Sequence, residues 1–81
     1  MDSNEEFREK IFAIIRENFP HFRGELSSAT LASQVAGWDS FAHMQLMMTF
    51  EEELGVEFDS SKTFTLQNIG ELVAFLDRSR N

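Results

Sequence analysis

Between Asp39 and Gly55 the chain carries a helical segment with more apolar positions than one buried face can hold. Both ends are marked. Asp39 is an N-cap residue whose carboxylate takes an orphan N–H of the first turn, and Gly55 is the usual C′ residue. Leu46, Met47, Phe50 and Leu54 make a core-facing set, whereas Phe41, Met44 and Met48 recur at i, i+3 and i+7 to one side of it. Such a helix is either buried all round or buried on one face and adhesive on another. In 81 residues the second arrangement is the expectation, because a domain of this size buries only about 60–65% of its unfolded surface.

The flanking segments supply the other helices. Ser3 and Glu6 fit a capping box. Phe7, Ile11, Ile14 and Ile15 follow at helical spacing, with Phe12 off the stripe and expected to be partly exposed. Pro20 disfavours helix at Phe19, so this helix should end near Asn18. Residues 19–38 read as a long connection, tacked down by Phe22, Leu26, Leu31 and Val35. A structureless loop of that length is uncommon in a compact domain, so a short helical turn is expected inside it. Val56-Glu57-Phe58 reads as extended, Ser60 or Ser61 as the cap of a single turn ending near Phe64, and Thr65 as the cap of a last helix. Ile69, Leu72, Val73 and Leu76 share one face of that helix. Gly70 inside it costs roughly 1 kcal/mol of propensity relative to Ala, and close approach of another backbone would account for it. Residues 77–81 are expected to fray.

The fold class is therefore all-α: a small four-helix bundle, three main helices plus one short helix, with a long loop between helices one and two. Residues 1–81 form one domain, with a compact core at about 4–77.

Composition removes several function classes. There is no cysteine, which excludes disulfides and thiolate metal sites. The net charge is −7, and no basic residue stands between Arg23 and Lys62. That disfavours nucleic acid, whose phosphates need clustered Lys and Arg, and favours basic protein partners. No segment approaches membrane-spanning length and no secretory leader is evident. The expectation is a cytoplasmic monomer without membrane insertion.

Ser40 opens the acidic second helix. With no cysteine or lysine beside it, its hydroxyl reads as a group for another enzyme to modify. Asp39, Ser40 and His43 do not make a catalytic triad, since all three come from one helical turn, whereas triads gather groups from separate segments. No residue is assigned a catalytic role. His21 and His43 read as loop and surface residues, Trp38 as a loop anchor packed on the bundle. Neither histidine has metal-ligand spacing, and Glu51-Glu52-Glu53 does not match a calcium loop.

Asp39-Ser40-Phe41, followed at the end of the same helix by Glu51-Glu52-Glu53-Leu54-Gly55-Val56, resembles the acyl carrier protein family. The similarity runs from about Phe7 to Leu76. It implies a carrier, not an enzyme. By the resemblance, Ser40 receives 4′-phosphopantetheine from coenzyme A through a phosphodiester, made by a phosphopantetheinyl transferase with Mg²⁺. The thiol of that arm then holds acyl intermediates as thioesters. Asp39 would add a transferase contact to its capping role. Phe41, Met44 and Met48, with Glu51, Glu52 and Glu57, match the surface that partner enzymes contact. Those partners would be acyl-transferring, ligase or synthase enzymes with basic docking patches, in fatty-acid, polyketide or other specialised acyl biosynthesis. The alternatives are a peptidyl or aminoacyl carrier, and an unmodified acidic helical interaction module.

Overall fold

Three α-helices carry the apolar stripes. The computed structural model describes residues 3–80, with α1 over Ser3–Asn18, α2 over Ser40–Leu54 and α3 over Ile69–Ser79. Two 3₁₀ helices, Ala32–Gln34 and Ser60–Thr65, lie in the connections. The described residues form no strand, only an isolated antiparallel bridge between Leu31 and Asn68.

In α1, Phe7, Ile11, Ile14 and Ile15 are buried and Phe12 is half-buried, as its stripe requires. The Ser3–Glu6 capping box rests on the Ser3 side chain, which lies outside the described residues. The helix stops at Asn18, ahead of Pro20, while Phe19 stays in the core with its N–H on the Ile15 carbonyl at 3.0 Å. In α2, the Asp39 carboxylate accepts from the Ala42 N–H at 2.8 Å. Gly55 ends the helix at φ 68°, the left-handed conformation that favours glycine, and donates its N–H to the Glu51 carbonyl. Leu46, Met47 and Phe50 are fully buried and meet Ile11 and Ile15 of α1 and Ile69, Leu72 and Leu76 of α3 in one core.

The connection 19–38 is held by specific contacts. The Arg16 guanidinium donates to the Phe22 and Gly24 carbonyls and lies over the Phe22 ring. Val35 is buried, and Trp38 stacks on Phe19 with ring centres 5.0 Å apart. Further along, the chain lies against the start of α3, where the Ile69 and Gly70 N–H groups donate to the Thr30 and Ser28 carbonyls, each at 2.9 Å. A Cβ on residue 70 would stand 3.0 Å from the Ser28 carbonyl oxygen, a tight contact that favours the glycine. The radius of gyration, 11.7 Å, is that of a compact chain of this length, so the connection adds no extended excursion.

Three local expectations change. Asn68, not Thr65, caps α3: its Oδ1 accepts from the Glu71 N–H at 2.8 Å. Thr65 instead ends the second 3₁₀ helix, with its hydroxyl on the Lys62 carbonyl. That helix is capped by Asp59, not by Ser60 or Ser61. A carboxylate oxygen has more than one lone pair to offer, and Asp59 Oδ1 accepts both the Ser61 hydroxyl (2.7 Å) and the Ser61 N–H (3.1 Å). These bonds, the hydroxyl's first, hold the Asp59 carboxyl below its usual range. Finally, α3 runs on to Ser79 where fraying was expected, because Arg80 pairs with Asp77 at 2.8 Å and covers the Phe7 ring.

Candidate functional site

Ser40 is the first residue of α2 and is exposed. Among the described residues its hydroxyl has no hydrogen-bond partner, because the capping role belongs to Asp39. The first-turn N–H groups of Ser40 and Phe41 precede the positions that Asp39 satisfies, so the hydroxyl sits where an α-helix presents free donors and partial positive charge.

His43, one turn further on, is the main departure from expectation. It is buried, not a surface residue. Trp38 Nε1–H donates to His43 Nδ1 at 3.0 Å. An indole nitrogen only donates, so Nδ1 must be the bare nitrogen and Nε2 carries the proton. His43 Nε2–H then donates to Thr63 Oγ1 at 2.6 Å, and the Thr63 hydroxyl donates to the Ser60 carbonyl at 2.6 Å. With both ring nitrogens engaged elsewhere, His43 has none left to act as a base on Ser40. No polar side-chain atom buried among the described residues lacks a partner.

This chain of bonds has a pH consequence. Burial pushes the His43 pKa below its ordinary 6.5, and a protonated imidazole would turn a second N–H toward the Trp38 donor. The unfolded chain takes up a proton near pH 6.5 while the native state resists it, so this contribution to stability is complete above that pH. It declines as pH falls from 6.5 toward the lower native pKa. Urea midpoints measured from pH 7.5 to 5.5 should fall, and His43→Gln should flatten the slope. Equal slopes in both proteins would remove His43 as the cause.

An open groove of about 280 Å³ borders Ser40, lined by Trp38, Asp39, Ser40, His43, Thr63 and Phe64 among others. Phe64 is half exposed and faces the His43 ring at 4.4 Å. Sequence reasoning missed Thr63 and Phe64. They come from the second 3₁₀ helix, and no periodicity there announces that they meet α2.

The apolar stripe of α2 is on the surface: Phe41 is 73% exposed, Met48 57% and Met44 40%. Glu52 and Glu57 are exposed, Glu51 is partly covered, and all three border a shallow depression with Met48. Among the described residues no three His, Asp or Glu side chains gather as a metal site, and no helix is long and apolar enough to cross a membrane.

The family described as "Phosphopantetheine attachment site" matches residues 24–76, from the loop after α1 to the last turns of α3. The chain belongs to the phosphopantetheine-attachment family. It is also 27% identical to an acyl carrier protein of Thermotoga maritima over 78 residues, 96% of each chain. Its fold matches the solution structure of a holo acyl carrier protein from Geobacter metallireducens with a TM-score of 0.77 and 26% identity, covering 90% of this chain and 84% of that one. Membership makes the chain a carrier of covalently attached 4′-phosphopantetheine and not a catalyst. When attached, that group supplies a thiol on a long flexible arm, which this cysteine-free chain does not contain. The local structure fits it: an exposed, uncommitted hydroxyl, helix N–H groups suited to a phosphodiester, and an open groove alongside.

Proposed function

We propose that Ser40 is the residue to which phosphopantetheine is joined, in a chain that works as an acyl carrier protein. The observation that carries the assignment is the Ser40 hydroxyl, exposed and without a partner among the described residues at the start of α2, inside the matched residues 24–76. Acyl intermediates ride on the arm as thioesters and are presented to the transferase and synthase enzymes that act on them. The docking surface is the stripe Phe41, Met44 and Met48 with Glu51, Glu52 and Glu57. Adaptable methionine beside carboxylate suits weak binding to several enzymes with basic patches. The reading takes the chain as a cytoplasmic monomer and one domain, modified where coenzyme A and a phosphopantetheinyl transferase are present.

Intact mass after incubation with coenzyme A, Mg²⁺ and a broad-specificity transferase tests the assignment. A gain of one phosphopantetheine, mapped to the peptide holding Ser40, is expected. Gain at another residue, or none beside a working control carrier, would overturn it.

A further inference from the structure

Ser40 lies inside a ring of bonds closed by two side chains. Trp38, ahead of it, donates Nε1–H to Nδ1 of His43, one turn further on, at 3.0 Å. The same indole stacks on Phe19 beyond the end of α1, with the ring planes 12° apart. From His43 the bonds continue through Nε2–H to Thr63 Oγ1, and from that hydroxyl to the Ser60 carbonyl. The backbone that enters the ring is folded tightly. Trp38 N–H donates to the Val35 carbonyl and Asp39 N–H to the Gly37 carbonyl, and Gly37 turns at φ 91°. Asp39, Ser40 and Phe41 are exposed, so burial of their own side chains does not fix them. Ser40 is instead tied, through Trp38 and His43, to the end of α1 and to the second 3₁₀ helix.

We propose that Trp38 and His43 are positioning residues for the loading of Ser40: their hydrogen bond fixes where the hydroxyl stands when a transferase acts on it. The proposal rests on the reading of Ser40 as the attachment residue. In that reaction Ser40 Oγ bonds to the phosphorus of coenzyme A that bears pantetheine. The bond from that phosphorus to the bridging oxygen of the diphosphate breaks, and the remaining adenosine bisphosphate leaves with the electron pair. The hydroxyl proton passes to a base of the transferase. Attack must come in line with the leaving oxygen, so displacing the hydroxyl by about 1 Å slows the step. Asp39 alone does not prevent such a displacement. Its carboxylate secures the helix end at the Ala42 N–H, and α2 stays whole while the turn before it swings about Gly37. The Phe19 stack also leaves freedom, because stacked rings adopt many offsets, whereas a hydrogen bond has a preferred direction. Thr63 completes the fixation from the far side. Its hydroxyl holds the His43 ring at Nε2, so that Nδ1 is presented to the indole. Docking is a separate matter, since Phe41, Met44 and Met48 stand on the exposed side of α2 and their side chains take no part in the ring. Loss of the Trp38–His43 bond therefore slows the bound complex and leaves its affinity unchanged.

The test measures loading from coenzyme A and Mg²⁺ by a broad-specificity phosphopantetheinyl transferase, with the carrier concentration varied to separate kcat from KM. Folding of each variant is checked by helical circular dichroism. Trp38→Phe keeps an aromatic ring against Phe19 and removes the Nε1–H donor. Its kcat should fall about ten-fold, while KM for the carrier stays within about two-fold of the wild type. Thr63→Val, which removes the hydroxyl behind His43, should fall similarly, and Thr63→Ser, which keeps it, should load like the wild type. Trp38→Phe combined with Thr63→Val should be little slower than either alone, because the bonds act as one unit. A second readout needs no transferase. The acceptors of the Trp38, Ala42 and His43 amides lie in residues 35–39. Hydrogen exchange at these amides should quicken about ten-fold in Trp38→Phe, with the Phe50 amide in the core unchanged. The proposal is overturned if folded Trp38→Phe keeps the wild-type kcat, if its loss lies in KM alone, or if these amides stay as protected as in the wild type. It also falls if Thr63→Ser is as slow as Thr63→Val, or if the two defects multiply in the double variant. A wild type loaded at another residue, or not at all beside a working control carrier, overturns the attachment assignment and with it the positioning role. The exchange result then shows whether the failure lies in that assignment or in the bond. Should Trp38→Phe fail to fold, Thr63→Val against Thr63→Ser decides.

Discussion

Ser40→Ala should keep the wild-type fold and accept no phosphopantetheine. The two halves of this expectation have separate grounds. Structurally, Ser40 contributes little: its side chain is exposed, its hydroxyl has no partner among the described residues, and Asp39 does the capping. Alanine is the best helix former, so the change in stability should lie within about 0.5 kcal/mol. Chemically, nothing can replace the hydroxyl. The proposed phosphodiester needs an oxygen at this position, and the hydroxyls of Thr63 and Ser60 belong to another element, with Thr63 buried in the His43 relay. Helical circular dichroism and urea unfolding should therefore match the wild type while the mass gain disappears. A mutant loaded to the wild-type extent would show that another residue carries the arm. A mutant that unfolds would mean that Ser40 has a structural role the geometry does not provide.

The helices were legible because their signals are local. Asp39 and Gly55 bracket α2 by capping chemistry, Pro20 stops α1, and the apolar stripes of α1 and α3 have the helical period. The surplus of apolar residues in α2 pointed to an exposed stripe, and Phe41, Met44 and Met48 are exposed. The interior of the site was not legible, because its determinants are far apart in sequence. Nothing beside His43 shows that Thr63, twenty residues away, will take its Nε2–H, and without that partner a histidine one turn from an exposed serine reads as a surface residue. The caps of the last two helical elements failed for a related reason. Ser60, Ser61 and Thr65 are good caps by type, but Asp59 and Asn68 compete for the same role one to three residues away. The winner depends on where the chain must turn to bring Ile69 and Gly70 against residues 28–30. Gly70 shows the opposite case: its poor helix propensity signalled a close approach, and Ser28 supplies it.

Phe50→Ala should abolish most of the protein's stability and, through it, the loading site. Phe50 is fully buried and is the largest side chain in the centre of the core. Truncating a buried phenylalanine removes its transfer free energy and leaves a cavity that the surroundings only partly fill, at a combined cost of about 3–5 kcal/mol. A domain of this length has a total stability on the order of 5 kcal/mol, so a large fraction of the mutant is expected to be unfolded even without denaturant. The same helix carries Asp39 and Ser40 at one end and Met44 and Met48 on its exposed side. Its anchorage in the core is thus what holds the proposed attachment residue and the proposed docking stripe in one rigid arrangement. Met48→Ala serves as the contrast: it removes an apolar side chain from the same helix, but one 57% exposed, and should cost no more than about 0.5 kcal/mol. Urea unfolding followed by the single tryptophan, Trp38, and by helical circular dichroism measures both. Loading of Phe50→Ala should fall in step with its folded fraction, whereas a loss below about 1 kcal/mol would show that α2 is held by something other than its Phe50 face.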